Sequence, residues 1–212
     1  MVYAVLMMAG LRERKKEQTR RRISEVALRL FDERGYDAVT VNEIAEAAGV
    51  AKVTLFNYFP TKECLVTDGV EEDMAAVVVA GRAEGRAPIE ALREHYLATA
   101  GQGAGEVDVE ALLVRIRVIG SSPSLLGAVY GAHMGQRYQL AAALADGREG
   151  DLTAHLMAAQ ITAAVTTLQE SFFHRLSAGE SLEEAGRRLA ADVELAFDLL
   201  ENGFKSIKGE KS

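Results

Sequence analysis

The chain has 212 residues, 49% of them hydrophobic, which is enough for one large buried core or two smaller ones. Three prolines, no tryptophan and long stretches rich in Ala, Leu, Glu and Arg favour helices over strands, so the predicted fold class is all-α. A formal net charge of −7 argues against a protein that coats nucleic acid along its whole surface.

The charge is unevenly distributed along the chain. Residues 1–62 carry eleven Lys and Arg against eight Asp and Glu, whereas residues 63–212 carry thirteen against twenty-three. The N-terminal third is therefore the part suited to meeting phosphate.

A single cysteine, Cys64, excludes an intramolecular disulfide. The apolar run at residues 1–9 is too short to span a bilayer and lacks signal-peptide features, so we expect a cytoplasmic protein without a membrane partner.

The first predicted elements form a helix-turn-helix. Apolar residues at helical spacing predict a helix over residues 12–34, strongly basic at its beginning, after a disordered segment 1–11. Thr40 and Glu43 have the spacing of a capping box and open a second helix of about two turns, which ends at Gly49. A third helix over residues 51–59 stops at Pro60. Two short helices joined by a Gly-containing turn are typical of a helix-turn-helix.

Helical periodicity continues through the rest of the chain, with glycine-rich or proline-containing breaks between the helices. The predicted helices span residues 62–81, 107–119, 125–145, 152–176 and 182–204. One more helix begins at residue 89 and stops at a flexible loop over residues 101–105. The total is about nine helices and no strands. Residues 205–212 are expected to form a disordered tail.

The helix-turn-helix carries a family resemblance. Its motifs are Ile-Ala-x-x-Ala-Gly-Val at residues 44–50, Leu-Phe-x-Tyr-Phe at 55–59 and Thr-Lys-Glu at 61–63. At this spacing, residues 40–65 resemble the DNA-binding segment of TetR-type repressors, and residues 23–36 resemble the first helix of that segment. The resemblance covers residues 15–68. It implies a dimeric repressor that binds double-stranded operator DNA and responds to a ligand.

The third helix is the predicted DNA reader. Its solvent face is left to side chains that mix hydrogen-bond donors, a methyl-bearing group and an aromatic hydroxyl, all suited to groove reading: Lys52, Val53, Thr54, Asn57 and Tyr58. The resemblance implies base contacts by Val53, Thr54 and Asn57, and phosphate contacts by Thr40, Lys52, Tyr58 and Lys62. Phe56 and Tyr58 replace a tyrosine and a histidine that are frequent in the family, which leaves the contacted DNA sequence open.

The basic beginning of the first helix, residues 12–22, has two interpretations. It is either a solvated helical face or an arm that reaches the DNA backbone or minor groove.

The rest of the chain is predicted to bind a ligand and to dimerise, so the expected domains are a DNA-binding domain at 1–62 and a second domain at 63–204. By resemblance, the last two helices supply the dimer interface, with apolar and small residues at Leu156, Ala159, Ala163, Thr167, Leu189, Val193, Phe197 and Leu200. The same stripes are equally compatible with an intramolecular core.

The family resemblance also implies a ligand pocket among the middle helices. The candidate lining residues are Met74, His95, Tyr96, Arg115, Ile116, Ile119, Tyr130, Met134, Phe172 and Phe173. Core packing accounts for most of these better than pocket lining does, and surface exposure accounts better for at least one of Arg115 and Arg117. Residues 112–126 faintly resemble a TetR subgroup that responds to acyl-CoA-type effectors, so the expected effector is an apolar or acyl molecule.

An enzyme is the competing class of function, and the sequence gives it little support. Glu170 and His174 have helical i, i+4 spacing but no third metal ligand, and Ser171 has no identifiable catalytic acid. We therefore expect no catalytic residues, no metal and no cofactor. An adaptor that kept the fold but lost DNA affinity is the remaining alternative.

Overall fold

The computed structural model describes residues 2–67, 73–101, 108–148 and 150–203, and these contain ten helices and no strand. The predicted all-α class is confirmed. The helices are α1 (Val2–Arg34), α2 (Val41–Ala47), α3 (Lys52–Tyr58), α4 (Cys64–Thr67), α5 (Met74–Ala83), α6 (Pro88–Gly101), α7 (Val109–Ser121), α8 (Pro123–Ala145), α9 (Leu152–Ser177) and α10 (Leu182–Asn202).

The chain forms two compact units. The N-terminal unit consists of residues 1–71 together with 110–129, and the C-terminal unit consists of residues 72–109 and 130–212. The N-terminal unit is thus larger than the predicted domain 1–62. It is larger because α7 and the first turns of α8 bring apolar side chains, including Val118 and Leu125, into its core.

The core of the N-terminal unit joins α1 to the three short helices that follow it. Ile23 and Phe31 of α1 pack with Ile44 of α2, Leu55 of α3 and Leu65 of α4, and all five are at most 2% exposed. Fully burying such side chains contributes about 1.5–3 kcal/mol each. This burial fixes the orientation of two helices that are each only seven residues long.

The C-terminal unit has its own core, in which α5 and α6 pack with α9, α10 and the later part of α8. Its fully buried members include Val78, Leu92, Leu140 and Phe197. The helices α5 and α6 pack closely where Gly81 faces Ala91, because a side-chain carbon at Gly81 would collide with the Ala91 Cβ. Arg93 of α6 adds an ion pair to α10, with its Nη2 2.7 Å from a Glu201 carboxylate oxygen.

Two predicted elements differ from the observed ones by more than a residue or two. The backbone of α1 is helical from Val2, although residues 1–11 were expected to be disordered. The predicted helix 62–81 is two helices, because α5 has its own start, where the Asp73 carboxylate accepts the Ala76 N–H at 2.9 Å. The predicted tail at 205–212 and most of the predicted loop 101–105 lie outside the described residues.

Within the described part of the chain, no single helix is long and apolar enough to cross a membrane. One bent pair, Val109–Ser121 with Pro123–Ala145, reaches the required length and composition only when its two helices are taken together.

Candidate nucleic-acid interface

The beginning of α2 is fixed by the predicted capping box, which the structure confirms. The Thr40 hydroxyl accepts the Glu43 N–H at 3.3 Å, and the Glu43 carboxylate accepts the Thr40 N–H at 2.8 Å and the Thr40 hydroxyl at 2.7 Å. Arg34 at the end of α1 donates to the other Glu43 oxygen at 2.6 Å. The two Thr40 hydrogen bonds and Arg34 lower the pKa of Glu43 to about 2.

The turn between α2 and α3 depends on a glycine. Gly49 has a φ of +64°, a conformation that side-chain-bearing residues rarely adopt. The turn closes with a hydrogen bond of 3.0 Å from the Val50 N–H to the Ala45 carbonyl. Leu55 and Phe59 then bury their side chains completely, which determines the opposite face of α3 as the one that meets solvent.

The outward face of α3 carries most of the predicted reading residues. Val53 is 69% exposed and Phe56 is 38% exposed, so both place apolar atoms in contact with solvent. Lys52 and Asn57 are exposed, and Thr54 and Tyr58 are partly buried. The Lys52 ammonium lies 5.9 Å from the centre of the Phe56 ring, within cation–π range. This helix therefore offers a cation, an amide and apolar groups on one accessible face.

Lys62, predicted from the family resemblance to contact phosphate, has internal partners in the structure. Its ammonium donates to the Tyr36 carbonyl at 2.5 Å and lies 4.0 Å from the centre of the Tyr36 ring. It is also 5.4 Å from the centre of the Phe31 ring. Burial lowers the pKa of Lys62, against the effect of nearby carboxylates. Lys62 thus joins the segment after α3 to the end of α1.

The basic side chains of α1 add positive charge to the same unit. Arg14, Lys15, Lys16, Arg21 and Arg22 are all exposed. Arg20 is partly buried, and its guanidinium lies 5.1 Å from the centre of the Phe59 ring, next to α3. The basic part of α1 is therefore linked to the end of the helix that is predicted to read DNA.

A set of polar contacts that sequence reasoning missed joins the N-terminal segment to the α7–α8 corner, defined as residues 117–125. Arg117 donates two hydrogen bonds to Asp32 of α1, at 2.8 and 2.9 Å. These bonds lower the pKa of Asp32 and raise that of Arg117. Ser122 and Ser124 donate to the two carboxylate oxygens of Asp37, at 3.3 and 2.9 Å. About 85 residues separate these partners, so no local pattern announces them.

Comparison with known proteins agrees with this geometry. Residues 23–68 match the family model described as "Bacterial regulatory proteins, tetR family". The chain is 34% identical over 125 residues to the HTH-type transcriptional regulator TcmR of Streptomyces glaucescens, covering 55% of this chain and 54% of TcmR. The chain belongs to the TetR family.

Other TetR-family proteins match over different lengths. The HTH-type transcriptional repressor KstR2 of Rhodococcus jostii is 36% identical over 83 residues, which cover 36% of this chain and 41% of KstR2. The chain thus spans about half the length, or less, of these curated relatives. The crystal structure of Thermus thermophilus FadR, a TetR-family repressor in complex with lauroyl-CoA, is 30% identical, covers 87% of this chain and 94% of its own, and has a TM-score of 0.49.

The predicted pocket residues of this TetR-family chain are divided between the two units. Arg115, Ile116 and Ile119 belong to the N-terminal unit, where Ile119 packs against the core. The others belong to the C-terminal unit, where Met74 and Tyr96 are buried in the core. Phe172 and Phe173 are partly buried with ring centres 5.7 Å apart, whereas Tyr130 is 61% and Met134 44% exposed.

A groove of about 360 Å³ lies within the C-terminal unit, between α5 and α6. Of the predicted pocket residues it includes only His95. Its other lining residues are mostly small and apolar, with two charged groups at the side: Val77, Ala80, Gly81, Arg86, Ala91, Glu94 and Ala98. Arg86 and Glu94 form an ion pair there.

The predicted dimer residues fall on two different surfaces. Val193 and Phe197 are 1% and 0% exposed and pack inside the C-terminal unit, so the predicted interface requires a correction at these two positions. Leu189 and Leu200 pack partly against the same core, and Ala159 is partly buried. The solvent side of α9 carries Leu156, Ala163 and Thr167, and the solvent side of α10 carries Leu195, which is 58% exposed.

Among the described residues, no group of three or more His, Cys, Asp or Glu side chains is arranged to hold a metal ion.

Proposed function

We propose that this chain is a DNA-binding transcriptional regulator that represses by occupying an operator and leaves it when a small effector binds. The observation that carries the proposal is the division of α3 into two faces. Leu55 and Phe59 are 0% exposed, while Val53 is 69% exposed beside exposed Lys52 and Asn57. A helix anchored in this way can enter the major groove, which is wide enough to admit it. The protein would act in the cytoplasm, where operator DNA lies.

The proposed contacts divide by chemistry. Val53, Thr54 and Asn57 would meet base edges, since a methyl group contacts thymine and an amide pairs with adenine. Lys52, Tyr58 and Thr40 would meet phosphate, with the basic face of α1 as an additional source of positive charge. The internal partners of Lys62 indicate a different role for it: its side chain stabilises the N-terminal unit by joining the segment after α3 to the end of α1.

Dimerisation is the second part of the proposal. One short reading helix offers few contacts, so such readers bind as dimers to half-sites about 34–36 Å apart. The exposed side chains Leu156 and Ala163 of α9 and Leu195 of α10 support a self-complementary interface formed by these two helices. The interfaces of homodimers are more apolar than the interfaces of transient complexes.

The proposed effector is an apolar or acyl molecule. The partly buried Phe172 and Phe173 and the exposed Tyr130 and Met134 are apolar side chains available to such a ligand. Effector binding would change the spacing of the two reading helices and break their match to the half-sites. Because coupling is reciprocal, DNA must also weaken effector binding. Members of this family regulate transcription, and we propose no catalytic activity.

Fluorescence anisotropy with labelled DNA tests the proposal. The probes are DNA from upstream of the protein's own gene and random DNA of equal length, each at several salt concentrations. We expect a preference for the upstream DNA. Asn57→Ala should cost about 1–3 kcal/mol of specific binding, and Lys52→Ala should reduce the salt slope by about one. Arg187→Ala, which removes an exposed charge from α10, is the matched control and should change neither quantity.

Two results would count against the proposal. If upstream DNA binds no better than random DNA, and selection from genomic fragments also recovers no preferred site, the chain is an adaptor that retained the fold. The effector part is tested separately with lauroyl-CoA and with decanoate as probes. If neither raises the melting temperature nor releases bound DNA, a medium-chain acyl effector is excluded.

A further inference from the structure

The α7–α8 corner, residues 117–125, lies far along the sequence from the helix-turn-helix but packs in the same core. Val118 is 2% exposed and Leu125 is 0% exposed, and both belong to the apolar cluster that also contains Leu55 and Phe59. Val114 and Ile119 pack against this cluster as well. The unit that presents α3 is therefore built from two stretches of sequence.

Two polar contacts fix the corner to specific points of the N-terminal segment. The Arg117 guanidinium meets Asp32 through two parallel hydrogen bonds, a geometry that defines direction as well as distance. The second contact is at Ser122, which is 2% exposed and therefore requires partners for its hydroxyl. That hydroxyl donates to Asp37 at 3.3 Å, contacts the Ser124 hydroxyl at 2.8 Å and accepts the Leu125 N–H at 3.4 Å.

Asp37 is placed where a displacement would reach α2. It lies in the short connection between the end of α1 at Arg34 and the capping residue Thr40. Tyr36 and Val39 on either side of it are 4% and 1% exposed. A connection of five residues with two buried side chains has little freedom, so a shift of Asp37 is passed to the start of α2.

We propose that the α7–α8 corner is a positioning element of the DNA reader, which holds the connection 35–39 through Asp37 and α1 through Asp32, and so sets the orientation of α2 and α3. The inference rests on the proposed DNA-binding function. None of these corner residues lies on the outward face of α3, so they act through the residues that meet DNA.

Ser124→Ala is the test variant, because Ser124 is exposed and its removal leaves the cores intact. Losing one hydrogen bond to a charged acceptor shifts the equilibrium between the conformation in which the corner holds the connection 35–39 and the one in which the connection is released by about an order of magnitude. The operator Kd should therefore rise by up to about tenfold, with the Kd for random DNA and the melting temperature nearly unchanged. Ser124→Thr keeps the hydroxyl and should restore the operator Kd.

Ser121→Ala is the matched control, because the Ser121 hydroxyl donates to the Val118 carbonyl and not to Asp37. It should leave the operator Kd unchanged. Arg117→Ala should repeat the effect of Ser124→Ala, and the charge exchange Asp32→Arg with Arg117→Asp should reverse it in part. Hydrogen exchange of residues 35–48 in the absence of DNA is the second measurement, and it should be faster in Ser124→Ala than in the wild type.

The outcomes separate this inference from the proposed function. If the wild type prefers its operator and Ser124→Ala behaves like the wild type in both measurements, the positioning role is refuted and the function stands. If Ser124→Ala weakens operator and random DNA equally and lowers the melting temperature, the corner is only structural. If the wild type shows no operator preference, the proposed function fails, and hydrogen exchange alone then decides whether the corner holds the connection.

Discussion

The internal position of Lys62 makes a prediction that opposes the family resemblance. Lys62→Ala removes a hydrogen bond of 2.5 Å from an ammonium to the Tyr36 carbonyl and a ring contact at 4.0 Å. Hydrogen bonds to charged groups contribute about 1.5–3 kcal/mol, and an exposed cation–π contact about 0.5–1 kcal/mol. Lys62 is only partly buried, so solvent screening and the desolvation that lowers its pKa reduce the net loss to about 1–2 kcal/mol.

The assay compares stability and salt dependence in two lysine variants. For a chain of this size, a loss of 1–2 kcal/mol lowers the melting temperature by about 2–8 °C. Lys62→Ala should show this shift in circular dichroism while the salt slope of DNA binding stays at the wild-type value. Lys52→Ala should keep the melting temperature and reduce the slope by about one. Lys62→Met, which retains the apolar stem, separates the ammonium from side-chain packing.

The opposite pattern in Lys62→Ala would refute this reasoning. An unchanged melting temperature with a slope reduced by one would mean that the Lys62 ammonium leaves Tyr36 and meets phosphate in the complex, as the resemblance implied.

Three further predictions follow from individual residues. Because the pKa of Glu43 is lowered from 4.5 to about 2, its stabilising contribution is complete above about pH 4.5 and is lost as pH falls towards 2; Glu43→Gln should flatten this part of an acid-unfolding curve, and an unchanged curve would contradict the assignment. Gly81→Ala should lower the free energy of unfolding by about 1–3 kcal/mol, because the new side chain collides with Ala91. Gly131→Ala, in open space on α8, should raise the free energy of unfolding by up to about 1 kcal/mol. Chemical denaturation measures both values, and equal effects would contradict the close packing of Gly81 against Ala91. If Val53 contacts a thymine methyl, replacing operator thymines by uracil should weaken binding by the wild type by about 0.8 kcal/mol per contact more than it weakens binding by the Val53→Ala variant. Equal losses of binding free energy in the two proteins, measured by anisotropy, would argue against that contact.

Local sequence signals were sufficient to predict the helices α2 and α3. The capping box at Thr40 and Glu43, the glycine at position 49 and the proline at position 60 each act within a few residues. Such signals specify where α2 and α3 begin and end, and the apolar spacing specifies which face is buried. The outward face of α3 was therefore accessible to prediction from sequence.

The break between α4 and α5 was missed although it also has a local signal. Asp73 caps α5 through the Ala76 N–H, but the apolar pattern on both sides continues in helical period and suggested one helix. Competition between a capping residue and a continuous periodic pattern is decided by packing, which a single sequence does not display.

Contacts between distant residues could not be predicted. Asp32 and Asp37 meet Arg117, Ser122 and Ser124 only after the chain has folded back over about 85 residues. The apolar stripe of an amphipathic helix is also ambiguous, because the same stripe can pack in an intramolecular core or in a dimer interface. Val193 and Phe197 share a stripe that was assigned to the dimer interface, and both are used inside their own unit.

Selection of bound sequences from a random DNA pool tests the central claim, that the outward face of α3 reads an operator. The wild type should enrich one sequence with two inverted half-sites about one helical turn apart, since a symmetric dimer reads a symmetric site. Asn57→Ala should relax the enriched sequence at the position that Asn57 meets, with the remaining positions retained. Enrichment of no sequence by a folded, dimeric protein, or an identical sequence from Asn57→Ala, would contradict the account.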